Sequence, residues 1–205
     1  MKKELRFSVK DTELRTSEDG SHTVTGFAAV YNSLSLPLGD FKETIDPNAF
    51  TDCLATNPDL FLLSEHDLGK GILARTSSGT LSVENTDIGL RFTATLPNTT
   101  LGNDTFVSLQ RGDLRSMSFA FSCNLDSWSQ DGEGMYIRTI LNAELYELSI
   151  VAQPAYPAST AALRSQFGTP TVPTIKAPIE DNKEVELPYD NTDDLLLALI
   201  LSLRS

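Results

Sequence analysis

Histidine is almost missing from this chain of 205 residues: His22 and His66 are the only two. Two distant imidazoles make a poor metal-ligand set, so no metal centre is expected, and no cofactor either. Cysteine is equally scarce. Cys53 and Cys123 are too few for a disulfide framework and lack metal-ligand spacing. Cys53 falls among helical signals and Cys123 continues the apolar parity of a strand, so both read as small buried hydrophobes, a usage that fits a reducing cytoplasm. Basic residues are short: 16 Lys and Arg against 28 Asp and Glu leave a net charge of -12. That balance argues against nucleic acid as a partner and suits solubility or a basic protein partner. Long apolar runs are lacking too. The longest, Leu195 to Leu201, is too short to span a bilayer, and Met1-Lys2-Lys3-Glu4 leads into alternating residues rather than a signal peptide, so no membrane partner is expected.

What is present, with 40% hydrophobic residues, is enough for one substantial core with some chain left over. Residues 1–165 read mostly as strands. Leu5, Phe7 and Val9 alternate with polar neighbours, and further strands are expected at Thr23–Tyr31, Leu60–Glu65, Thr80–Glu84, Leu90–Leu96, Leu114–Cys123, Tyr136–Leu141 and Leu145–Val151. Two helices interrupt them. One is capped by Asp46, with Pro47 at its first position and Phe50, Cys53 and Leu54 on one face. The other runs from near Asn103-Asp104 to Gly112, with Phe106 and Leu109 on one face. This pattern predicts a mainly β fold with flanking helices, an α+β protein built on a closed or nearly closed β-barrel.

Beyond residue 165 the composition changes. Pro170, Pro173, Pro178 and Pro188 break regular structure, and Glu180 to Asp194 holds seven acids against Lys183 alone, six of the twelve net negative charges. Residues 166–190 therefore read as an acidic, Pro-rich linker. Asn191-Thr192-Asp193-Asp194 followed by the Leu195–Leu201 run predicts a short apolar helix over 191–205, to be packed on this chain or on a partner.

Three segments carry the candidate chemistry. His66 follows Leu60-Phe61-Leu62-Leu63, which places it at the end of a buried strand, rigidly held yet accessible; His22, in a polar turn-like stretch, is expected to face solvent. In Arg115-Ser116-Met117-Ser118-Phe119-Ala120-Phe121, the residues Met117, Phe119 and Phe121 share a core face, while Ser116, Ser118 and Ala120 form a small polar face with room for a substrate. Glu147 sits mid-strand in Leu145-Tyr146-Glu147-Leu148-Ser149-Ile150-Val151, with Tyr146, Leu148 and Ile150 on the opposite parity. An unpaired carboxylate there is costly. Pairing with a histidine ring N–H would satisfy it and fix the tautomer of a general base; an exposed position or a bridge to an arginine such as Arg138 would serve as well.

Several stretches in order resemble the prohead protease family typified by phage HK97. They are Gly26-Phe27-Ala28-Ala29-Val30-Tyr31, Glu43-Thr44-Ile45-Asp46-Pro47-Asn48-Ala49-Phe50, the His66 segment, Arg111-Gly112-Asp113-Leu114 leading to Met117-Ser118-Phe119-Ala120-Phe121, and Glu147-Leu148-Ser149-Ile150-Val151 with Pro154-Ala155. Together they cover roughly residues 20 to 160. Ala120 stands where the family commonly has glycine, and Pro47-Asn48 where its helix start often reads Pro-Gly. The resemblance implies a fold similar to the herpesvirus assembly proteases and a serine endopeptidase with Ser118 as nucleophile and His66 as base. Those viral relatives use a second histidine after the serine. This chain has none there, and Glu147 occupies the corresponding place as third member. Ser116 is the rival nucleophile, and Arg138 and Arg115 are candidate oxyanion donors.

The implied substrate is the scaffold-like part of the major capsid protein, cut inside an assembling prohead in the bacterial cytoplasm, with self-cleavage in the linker and self-association as a dimer as further expectations. The rival class is a non-catalytic scaffold or chaperone for capsid assembly, which the acidity and the apolar tail would suit equally. A cysteine protease using Cys123 or Cys53 with His66 is the weaker rival.

Overall fold

A computed structural model describes residues 3–8, 12–18, 20–152 and 172. Apart from residue 172, the expected linker at 166–190 lies outside the described residues, as does the expected helix at 191–205. Among the described residues ten strands dominate: β1 (Glu4–Ser8), β2 (Glu13–Thr16), β3 (His22–Val30), β4 (Phe41–Ile45), β5 (Phe61–Ser64), β6 (Ala74–Arg75), β7 (Leu81–Asn85), β8 (Gly89–Leu96), β9 (Ser116–Gln130) and β10 (Tyr136–Val151). Two helices, α1 (Thr51–Ala55) and α2 (Thr100–Arg111), and a 3-10 turn at Leu68–Lys70 complete the order of the described residues. The mainly β expectation holds. The ladders form two sheets rather than one closed ring: β1-β9-β10-β5-β6 with β4 also on β10, and β2-β3-β8-β7.

β10 is the hub of the larger sheet. It pairs antiparallel with β9 along most of its length, parallel with β4 through its first half and parallel with β5 through its second. The two strands expected at Tyr136–Leu141 and Leu145–Val151 are thus one continuous strand. Inner-face residues of both sheets share one core, including Val24, Phe92 and Ala94 from the smaller sheet and Phe119, Phe121, Leu148 and Ile150 from the larger. Burying each such phenylalanine or leucine removes enough apolar surface to stabilise by about 1.5–3 kcal/mol.

The helices differ from their expected bounds for local reasons. Asp46 Oδ1 accepts the Asn48 N–H (2.8 Å), so Asp46 caps a turn, and α1 proper starts only at Thr51. α2 begins at Thr100, earlier than Asn103, because Thr99 provides the cap by accepting the Gly102 N–H. A side chain at Gly102 would put its Cβ 2.0 Å from the Pro97 carbonyl oxygen, so glycine lets the first turn close on the preceding loop. Gly112 ends the helix in a left-handed conformation at φ 79°, where its N–H reaches the Leu109 and Ser108 carbonyls.

A buried ion network fixes β1. Arg138 donates to Glu4 (2.7 Å), Glu43 (3.0 Å) and Asp126 (2.6 Å), and Arg6 bonds Glu4 (2.7 Å) and Glu43. Burial alone would lower the Arg138 pKa, but hydrogen bonds and the charges of Glu4 and Glu43 outweigh it and raise it above its ordinary value. Arg138 is therefore bound to these acids and does not bridge to Glu147. The two residues are nine positions apart on β10, about 30 Å of extended strand, so Arg138 is also unavailable as an oxyanion donor at Ser118.

Candidate active site

β9 lies between β1 and β10, and Ser118 pairs with Phe7 on one side and Ser149 on the other. Both of its faces are buried from Ser116 to Ser122. The polar face of Ser116, Ser118 and Ala120 is therefore covered, not open as the alternation suggested. Ser118 itself has 0% exposure.

A bulge aims the acid. Leu145 pairs with Phe121, yet Glu147, two residues on, pairs with Ala120, so one residue of β10 is extra. That residue is Tyr146, and it departs from the expected core parity: Leu145, Leu148 and Ile150 join the core, while the Tyr146 hydroxyl meets Ser122 Oγ at 2.8 Å. Strict alternation from Leu145 would have turned Glu147 toward the core. The extra residue resets the parity and puts Glu147 on the same face as Ser118 and Ser149.

The base arrives on a strained turn. Glu65 and His66 have φ of 56° and 58°, both in the left-handed region that residues with a Cβ avoid. The Asp67 N–H closes the turn on the Ser64 carbonyl at 3.1 Å. Each left-handed residue costs about 1–3 kcal/mol, which neighbouring bonds must offset. The Glu65 N–H donates to Ile150 O (3.0 Å), the Ala152 N–H donates to the Glu65 carboxylate (2.7 Å), and the His66 N–H donates to Ser149 Oγ (3.2 Å). All three tie the turn to the end of β10, and the imidazole swings back over that strand.

The outcome is a line of contacts. His66 Nδ1 lies 2.6 Å from Glu147 Oε1, and His66 Nε2 lies 2.7 Å from Ser118 Oγ. A carboxylate only accepts, so the proton sits on Nδ1 and the lone pair of Nε2 faces the serine hydroxyl. The side chains of His66 and Glu147 are each 13% exposed, sheltered enough for the charge pair to be felt. Ser149 Oγ donates to the other oxygen, Glu147 Oε2, at 2.7 Å. Ser116, the rival hydroxyl, is buried with no hydrogen-bond partner and makes no bond to His66.

The other candidates fall elsewhere. His22 does not simply face solvent: its ring stacks on Phe106 at 3.9 Å and Nδ1 lies 3.2 Å from Thr16 Oγ1. The Cys53 sulfur accepts the Leu145 N–H, and burial raises its pKa. Burial likewise pushes the Cys123 thiol up to about 11, which leaves little thiolate at neutral pH. Arg115 is exposed, one residue before β9. Sequence reasoning gave no role to Ser149 or Glu65; their signal was proximity in sequence to Glu147 and His66, with nothing to say which way they pointed.

A hydroxyl, an imidazole and a carboxylate in one hydrogen-bonded line on a mainly β scaffold form the constellation of the serine proteases. Comparison at the sequence level is specific: the chain belongs to the caudovirus prohead serine protease family, whose profile matches residues 10–171. It is a serine endopeptidase of phage capsid maturation. Among solved structures, the capsid assembly protease gp21 of bacteriophage T4 is similar, with a TM-score of 0.48 and 10% identity over 74% of this chain and 99% of that one. Comparison with curated proteins finds no match. Among the described residues no helix is long and apolar enough to cross a membrane.

Proposed function

We propose that Ser118, His66 and Glu147 are the catalytic triad, and that the substrate is the scaffold-like segment of the major capsid protein, with this chain as a second substrate. The observation that carries the reading is the double contact of one imidazole, 2.7 Å from Ser118 Oγ and 2.6 Å from Glu147 Oε1. Ser118 Oγ attacks the scissile carbonyl carbon as His66 Nε2 takes its proton, and the C–N bond then breaks as the same proton passes to the leaving amine. Water, deprotonated by His66, attacks the acyl carbon, and the C–Oγ bond breaks as that proton passes to Ser118 Oγ and restores the hydroxyl. Glu147 holds the imidazole in its productive tautomer and stabilises the imidazolium in both steps.

The location of the self-cut is the segment after Ser165, whose composition is that of an extended linker, so residues 1–165 form the protease domain and 191–205 a separable targeting element. Association as a dimer belongs to the same reading, which makes activity rise with concentration. A serine-reactive phosphonate tests the nucleophile directly: its adduct maps to Ser118 on this account, and an adduct on Ser116 or on neither serine contradicts it. Co-expression with the major capsid protein tests the substrate, which should shorten at one end.

A further inference from the structure

Ser149 is wholly buried, stands opposite Ser118 across the β9–β10 ladder, and bonds two parts of the site at once. Its hydroxyl proton goes to Glu147 Oε2 at 2.7 Å, and its oxygen accepts the backbone N–H of His66 at 3.2 Å. One hydroxyl thus ties the carboxylate of the acid to the main chain of the base. Both tied groups need the help. Glu147 is aimed by a bulge, where the ladder is locally interrupted. His66 sits at φ 58°, a conformation that persists only where surrounding bonds hold it.

From this geometry we infer that Ser149 is a positioning residue of the triad, which fixes the Glu147 carboxylate plane and the His66 backbone relative to each other. It touches neither substrate nor the reacting atoms. By occupying Oε2, it leaves Oε1 to face Nδ1, and by gripping the His66 N–H it keeps Nε2 over Ser118. The inference rests on reading Ser118, His66 and Glu147 as the triad.

The experiment uses the full chain and a fluorophosphonate probe, with the second-order rate of Ser118 modification followed by intact mass across pH. Ser149→Ala should slow labelling about 10- to 100-fold, by analogy with the loss seen when the hydrogen-bond partner behind a metal-ligating side chain is removed. It should also shift or broaden the low-field proton resonance of the His66 Nδ1–H, which a purely structural role would leave in place. Ser149→Thr, which keeps the hydroxyl, should retain more activity than Ser149→Ala. In a Glu147→Ala background, Ser149→Ala should slow labelling much less than it does alone, because its main target is gone. Wild-type rates and an unmoved resonance in folded Ser149→Ala would overturn the inference while leaving the triad intact. An equal loss in both backgrounds would overturn it as well. A wild-type chain in which Ser118 is never labelled would overturn the triad reading, and this one with it. Should Ser149→Ala fail to fold, Ser149→Thr carries the test: a normal resonance and rate support the role of the hydroxyl, and a loss as deep as that of Glu147→Ala contradicts it.

Discussion

Replacing Glu147 with glutamine removes one charge and little else. The amide has the size of the carboxyl, and Ser149 Oγ can turn from donor to acceptor, so the side chain can still present an oxygen to His66 Nδ1. What disappears is the attraction between carboxylate and imidazolium, whose contacting atoms are 2.6 Å apart here. With the charge centres about 4 Å apart and an effective dielectric near 20, that attraction is worth about 4 kcal/mol. At about 1.4 kcal/mol per decade, the cleavage rate should fall about 10³-fold. The amide can also present its N–H to Nδ1, which would push the ring proton onto Nε2 and block it as a base; this drives the loss toward about 10⁴. The assay is the time course of capsid-protein shortening, read by intact mass, beside a thermal melt. A Glu147→Gln enzyme with an unchanged melt and activity within tenfold of wild type would refute the reasoning.

Other predictions follow from the same geometry. Ser116→Ala should keep full activity and leave Tm unchanged or raise it by about 2–4 °C, since it deletes a buried hydroxyl with no partner; loss of labelling at Ser118 would count against the assignment. Arg138→Ala leaves the two buried carboxylates Glu4 and Glu43 with Arg6 as their one remaining cation. A broken buried pair costs about 3–5 kcal/mol, so Tm should fall by about 6–20 °C, and a fall under about 2 °C would contradict the account of the network. Iodoacetamide at pH 8 should leave activity intact, because the Cys123 thiol ionises only at about 11 and Cys53 is held above its ordinary value. The sign on stability is fixed by the same shift. An unfolded Cys123 loses its proton from about pH 9, the folded one only near 11, so equilibrium unfolding should become easier between those values and not below them.

The alternation of Met117, Phe119 and Phe121 and the apolar run before His66 were enough to place Ser118 on β9 and His66 just past the end of β5. The mainly β class was legible for the same reason: period-2 patterning is local. Three features were not. That Leu145, and not Tyr146, shares the core face of Leu148 and Ile150 depends on a one-residue bulge at Tyr146, and a bulge leaves no mark in composition. The turn at Glu65-His66 carries positive φ without glycine or asparagine, so nothing in the residue types announces it. The union of Tyr136–Leu141 and Leu145–Val151 into β10 is a tertiary event: β4 and β5 pair parallel with its two halves, and the pairing with β9 continues through the irregular register at Asn142. Arg138, read as a possible partner for Glu147, belongs instead to Glu4 and Glu43, which come from strands far away in sequence.

Intact mass of the full chain beside its Ser118→Ala variant, each produced with the major capsid protein of the same phage, tests the central claim most directly. The account predicts shortened capsid protein and trimmed enzyme with the wild type, and only full-length masses with the variant. Equal trimming by both would show that Ser118 is not the nucleophile and would contradict it.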